Sequence, residues 1–202
     1  MRWIAIRGVA ALLLSAVCVA ANAQTTWRDI PCAQSLVLVA AASGVACQVQ
    51  QPLVESANVP TNYSAVGTLN DVRVNLRLTH AKAPNHFRPY PEQESVRSIR
   101  GFAAEIMGAG LTDWSGPSAQ RALVFMTFRA KDRTCIGFDI PGPPHSREAP
   151  AHLHGWVLRG LLCPPDGQPT NRRAVIRYLE SVRVAVADPT RNVMGTELQP
   201  WP

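Results

Sequence analysis

Asp71-Val72-Arg73-Val74-Asn75-Leu76-Arg77-Leu78-Thr79-His80 is the stretch that decides the fold. Val72, Val74, Leu76 and Leu78 lie on one side of it, and Arg73, Asn75, Arg77 and Thr79 on the other. A period of two is the signature of a β-strand with one face on a core and the other toward water. A strand wetted on one face belongs in an antiparallel or mixed sheet, because parallel strands are covered on both faces.

Downstream, residues 81–94 are polar and interrupted by Pro84, Pro89 and Pro91, which forbid a regular element. Val96, Ile99, Phe102, Ala103, Ile106 and Met107 then recur at helical spacing, and Gly108 and Gly110 end the segment. Gly101 in the middle costs that helix about 1 kcal/mol of propensity. Residues 122–128 and 135–140 are apolar runs joined through Lys131-Asp132-Arg133, the pattern of a β-hairpin. A second proline-rich loop, 141–150, leads to a strand over 152–162. Pro164-Pro165-Asp166-Gly167 is a turn. Thr170 or Asn171 caps a helix whose apolar positions are Val175, Ile176, Leu179 and Val182, and Val182, Val184 and Val186 also fit a short closing strand.

Upstream, residues 33–42 read two ways. Pro31 and Gly44 suit the start and end of a helix, whereas Leu36-Val37-Leu38-Val39 suits a strand in a bent hairpin. The order of elements is strand, helix, hairpin, strand, helix. It predicts an α+β fold, a mostly antiparallel sheet with two helices in a single disulfide-stabilised domain.

Residues 1–23 have the form of an export signal: Arg2 and Arg7, an apolar run over 9–21, then Ala21-Asn22-Ala23 before the expected cut at Gln24. The run is too short to span a bilayer, and no later segment is long and apolar enough for a transmembrane segment. The expected organisation is a signal peptide over 1–23, an α+β domain over 24–187 and an irregular tail over 188–202. The expected location is periplasmic or secreted.

The whole chain carries 20 basic and 14 acidic residues, a formal charge of +6. Removing residues 1–23 leaves 18 basic residues, of which only Lys82 and Lys131 are lysines. The longest basic block is Arg172-Arg173, and scattered arginines interleaved with acids form a solvated surface. No nucleic-acid partner is expected, since phosphate backbones need compact basic patches. Cys32, Cys47, Cys135 and Cys163 remain after the cut. An even count in an oxidising compartment reads as two disulfides. Four cysteines allow three connectivities, among which the sequence alone does not choose; Cys32–Cys47 with Cys135–Cys163 is favoured because each pair is close in sequence. Four thiols on zinc would need a Cys-x-x-Cys spacing that is missing.

Chemistry has few footholds. The sequence has no Gly-x-Ser-x-Gly elbow, no Ser-x-x-Lys and no phosphate-cradling loop. Glu105 and Asp139 illustrate the acid pairs that a glycosidase would use, though any globular chain offers such pairs. The five histidines bracket the two proline-rich loops. His152 and His154 on an extended segment project from one face, about 6.5 Å apart, so His145, His152 and His154 are candidate ligands for Zn²⁺ or Cu²⁺. Phe87, Arg88 and Tyr90 combine aromatic rings with a guanidinium in a long loop, the usual ingredients of a binding surface. Trp27, Trp114 and Trp156 are expected in or at the rim of the core.

The leading expectation is an exported cell-envelope or secreted binding or accessory protein, non-catalytic and without a cofactor, whose partner is a protein or envelope component met by the two loops. The alternatives are a periplasmic metal-binding protein using the histidine cluster and a secreted hydrolase.

Overall fold

The structure, a computed structural model, describes residues 26–40, 42–51, 59–82, 85–88, 92–120, 123–142, 150, 153–185 and 196–197. The decisive stretch is a strand, β5 (Val72–His80), and it lies in the middle of the principal sheet. On one side β5 pairs with β4 (Thr61–Leu69), β4 with β3 (Ser43–Gln50), and β3 with β1 (Trp27–Ile30). On its other side comes β10 (Trp156–Cys163), then β9 (Arg133–Pro141) and β8 (Leu123–Ala130). Two short strands, β6 (Leu111–Thr112) and β7 (Ser118–Gln120), both pair with β8. Every pairing is antiparallel. Two meanders thus meet where β5 pairs with β10.

Each face of this sheet carries its own layer. Val74, Leu76, Leu78, Phe138, Ile140 and Leu158 project to one side. They pack there against β2 (Val37–Val39), helix α2 (Arg172–Leu179) and β11 (Val182–Val184). β2 and β11 form a small second sheet with β12 (Thr196–Glu197), so part of the segment expected as an irregular tail is tied to the body. Across the opposite face runs helix α1 (Glu92–Met107), whose Ile99, Phe102 and Ala103 bury against Met126, Phe128 and Leu161. Acidic Glu92 and Glu94 suit its positive N-terminal end, and Gly108, at φ 82°, ends it in the left-handed region. The helix sits close because Gly137 lies beneath it: a Cβ there would collide with Ile99. Gly101 faces open space, so no close contact requires a glycine there.

The α+β expectation holds, with the sheet dominant. Both hairpin strands and both helices form where their periodicity placed them, whereas the strand expected over 152–162 starts only at Trp156, with His154 in an isolated bridge to Phe87 ahead of it. Residues 33–42 are not a helix: Cys32–Gln34 is a single 3-10 turn, and residues 37–39 are β2. The strand reading wins because Val37 and Val39 find a partner in β11, which no local rule could supply. The outer face of β5 is also not simply wet. Arg73 is exposed, but Asn75 is only 3% exposed, since α1 folds over this part of the sheet. β1 and β4 had no expectation attached. Asn70 and Asp71, at φ 49° and 64°, make the tight turn between β4 and β5, a type I′ pattern.

Both disulfides have the expected connectivity. Cys32–Cys47 clips the 3-10 turn to β3, and Cys135–Cys163 joins the neighbouring strands β9 and β10. Among the described residues no helix is long and apolar enough to cross a membrane.

Candidate functional site

The two proline-rich loops leave the sheet at the same end. β5 finishes at His80, which is opposite Trp156 at the start of β10, and Val157 is opposite Pro141 at the end of β9. The chain segments beyond these strands are stitched together by their backbones. Phe87 N–H donates to the His154 carbonyl at 2.7 Å, and His154 N–H donates back to the Phe87 carbonyl at 3.1 Å. Ala81 N–H donates to the Gly155 carbonyl at 3.0 Å, and Gly142 N–H donates to that of Trp156 at 2.8 Å. Trp156 is 6% exposed and lies against Gly142, where a Cβ would run into the indole. Such backbone pairing fixes the loop ends by satisfying their polar groups.

On this platform Phe87 is half-buried and Arg88 is exposed. Tyr90, the third member of the expected binding set, lies outside the described residues, as do His145 and His152. His154 is half-buried, and its Nδ1 lies 3.0 Å from the Gly142 carbonyl. A carbonyl only accepts, so this contact puts the proton on Nδ1 and makes Nε2 the acceptor nitrogen of the neutral ring. Among the described residues no three His, Cys, Asp or Glu side chains converge to hold a metal ion.

A second polar feature lies under α1. Strand register sets Ser64, Arg77, Arg159, Asp139 and Val124 side by side across five strands. Asp139 is wholly buried, and its Oδ1 lies 3.4 Å from Arg159 Nε. Arg77, with its side chain 14% exposed, makes a two-pronged contact with Glu105 of α1 at 2.7 and 2.6 Å. Its guanidinium also lies 5.0 Å from the Trp27 ring centre and 4.7 Å from that of Phe102. The hydrogen bonds from Arg77 hold the Glu105 carboxyl below its ordinary range despite partial burial, and the charges of Arg77 and Arg159 add to this. Two arginines and two carboxylates balance in charge, and the Arg77–Glu105 pair ties α1 to the sheet.

Glu105 and Asp139 therefore do approach one cluster, but each faces an arginine. A carboxyl held low, as Glu105 is, does not suit the general-acid role of a glycosidase pair, whose other member is ionised. Sequence reading passed over Arg77 and Arg159. The available signal was Arg159 itself, a lone charge inside Trp156-Val157-Leu158-Arg159-Gly160-Leu161-Leu162-Cys163, which demands a buried partner. A further cavity of about 370 Å³ opens beneath α2, beside Tyr178. Burial raises the Tyr178 phenol, and its hydroxyl donates to the Leu69 carbonyl at 3.2 Å. No protein-family model matches this chain, and neither a curated protein nor a solved structure matches it significantly.

Proposed function

We propose that the protein is an exported, non-catalytic binding or accessory protein that meets a protein or envelope component through the joined loop ends. One observation carries the reading: the reciprocal Phe87–His154 backbone pair, which joins the first proline-rich loop to the segment leading from the second into β10, far apart in sequence. A platform set on rigid strands costs little ordering entropy on binding. Arg88, exposed beside the half-buried Phe87, supplies the residue types that dominate interface energetics. Two disulfides fit a chain that folds in an oxidising compartment, where an envelope protein works. The test is a photo-crosslinking residue at position 88 in the exported protein, with a control at exposed Glu180. A discrete adduct from position 88 and none from 180 is the expected outcome. No adduct, or the same adducts from both, overturns it.

A metal-binding reading has one contact in its favour, the His154 Nδ1–Gly142 carbonyl pair, since ligating histidines usually donate from their other nitrogen in this way. Its test is a thermal melt with Zn²⁺ or Cu²⁺. A metal at 100 times its Kd would stabilise the fold by about 2.7 kcal/mol, and a His154→Ala variant would lose that gain. Equal melting of both proteins with and without metal ends this reading.

A further inference from the structure

At the opposite end of the same strands lies a groove that the loop platform does not touch. Arg73 and His80 are seven residues apart on β5, so the two ends are separated by about 23 Å. The groove has a volume of about 640 Å³, within the roughly 300–1,000 Å³ usual for small-molecule sites. It lies between the C-terminal end of α1, the turn joining β8 to β9, and the first residues of β5.

Its lining is divided by chemistry. Ile106 and Met107 of α1 and the Cys135–Cys163 disulfide supply apolar and sulfur surface. Arg73, Lys131 and Arg133 stand around it, all three exposed, against one acid, Asp132. The C-terminal end of α1 offsets about half a unit of that positive charge. The balance stays clearly positive in a chain whose arginines are elsewhere interleaved with acids. An apolar wall beneath a cationic rim matches a ligand with one apolar chain and one anionic head.

We propose that this groove binds an anionic amphiphile, its head among Arg73, Lys131 and Arg133 and its chain along Ile106, Met107 and the disulfide. Burial of the chain supplies affinity, and the cations select the charge of the head. The site stands apart from the loop platform, so either can fail while the other survives.

The experiment is calorimetric titration of the exported protein with dodecyl phosphate and dodecanoate, each below its micellar concentration, and with dodecanol below its solubility limit. At least one of the two anions should bind ten times more tightly than dodecanol or better, and which one does so identifies the head group as phosphate or carboxylate. Raising NaCl from about 50 to 500 mM should weaken the anion and leave the alcohol unchanged. An Arg73→Glu/Arg133→Glu variant should lose at least tenfold in anion affinity, whereas Arg97→Glu, a charge reversal on the exposed side of α1, should lose none. If the double reversal does not fold, Arg73→Gln/Arg133→Gln carries the same expectation at about threefold. Equal binding of anion and alcohol, equal loss in the Arg97 variant, or no binding by either anion overturns the proposal.

Discussion

Replacing Asp139 by asparagine keeps the shape of a wholly buried side chain and removes only its charge. The carboxylate lies 3.4 Å from Arg159 Nε, and at an effective dielectric of about 20 that separation corresponds to roughly 5 kcal/mol of attraction. Part returns, because the buried charge no longer has to be desolvated. The loss should fall at the low end of the about 3–5 kcal/mol typical when one partner of a buried pair is removed. The low end applies because the Arg159 side chain is 16% exposed and keeps some water. Neighbouring Arg77 works the other way: two guanidiniums opposite one another in register are left with one carboxylate fewer. About 3 kcal/mol corresponds to a Tm drop of roughly 6–12 °C in a domain of this size. Urea unfolding followed by tryptophan fluorescence would measure it, with the slope m unchanged if only stability has moved. Arg159→Gln and the double variant complete a cycle whose coupling should be at least about 1.5 kcal/mol. A loss under about 0.5 kcal/mol from Asp139→Asn, or coupling near zero, would refute the assignment of Asp139 and Arg159 as a stabilising buried pair between β9 and β10.

Three further outcomes follow from the same geometry. Val74→Asp, at a fully buried position, should prevent folding by burying a carboxylate without a partner, while Arg73→Asp on the exposed side should cost under about 1 kcal/mol; equal damage in urea melts would contradict the layer assignment. Exported protein, unfolded without reduction, should show no free thiol. In the chain-entropy relation, losing the 28-residue Cys135–Cys163 loop should cost about 3.6 kcal/mol and the 15-residue Cys32–Cys47 loop about 3.0, so denaturation of the two Cys→Ser pairs should rank them in that order. Glu105 has its carboxyl lowered in the fold from an ordinary value of 4.5, so its ion pair contributes stability that is fully present above that value and fades as pH falls through the folded value. Glu105→Gln should therefore be less stable than the wild type at pH 7 by under about 1 kcal/mol, as the half-exposed carboxylate allows, and the gap should narrow as pH falls below the ordinary value; a gap independent of pH would remove Glu105 from this role.

Local rules reached those parts of the protein whose physics is local. Strict alternation in residues 71–80 specified a strand and its buried face, because a one-residue slip would put Val74 and Leu76 in water. Helical spacing with a glycine stop specified α1, and Asn171, whose side chain accepts from Ala174 N–H at 3.2 Å, began α2 where a cap was expected. Proximity along the chain favoured one of three cysteine pairings, and the fold adopts it. What alternation could not foresee was the strand with little of it: β4 reads Thr61-Asn62-Tyr63-Ser64-Ala65-Val66-Gly67-Thr68-Leu69, whose polar and small residues hide the period.

Tertiary structure decided everything that depends on residues distant in the chain. Residues 37–39 became a strand only because β11, some 145 residues later, lay beside them. Asn75 became buried only because α1 crossed its face, and Arg77, Arg159, Asp139 and Glu105 became one charged row only through the register of β5, β10 and β9. The residues of the two candidate surfaces were brought together in the same way. Phe87 and His154, 67 positions apart, meet by backbone pairing, and Arg73 joins Lys131 and Arg133 around a groove because their strands end together. Sequence periodicity states which face of an element is apolar. Only the packing of one element on another states what stands opposite that face, and in this protein that is where its candidate chemistry lies.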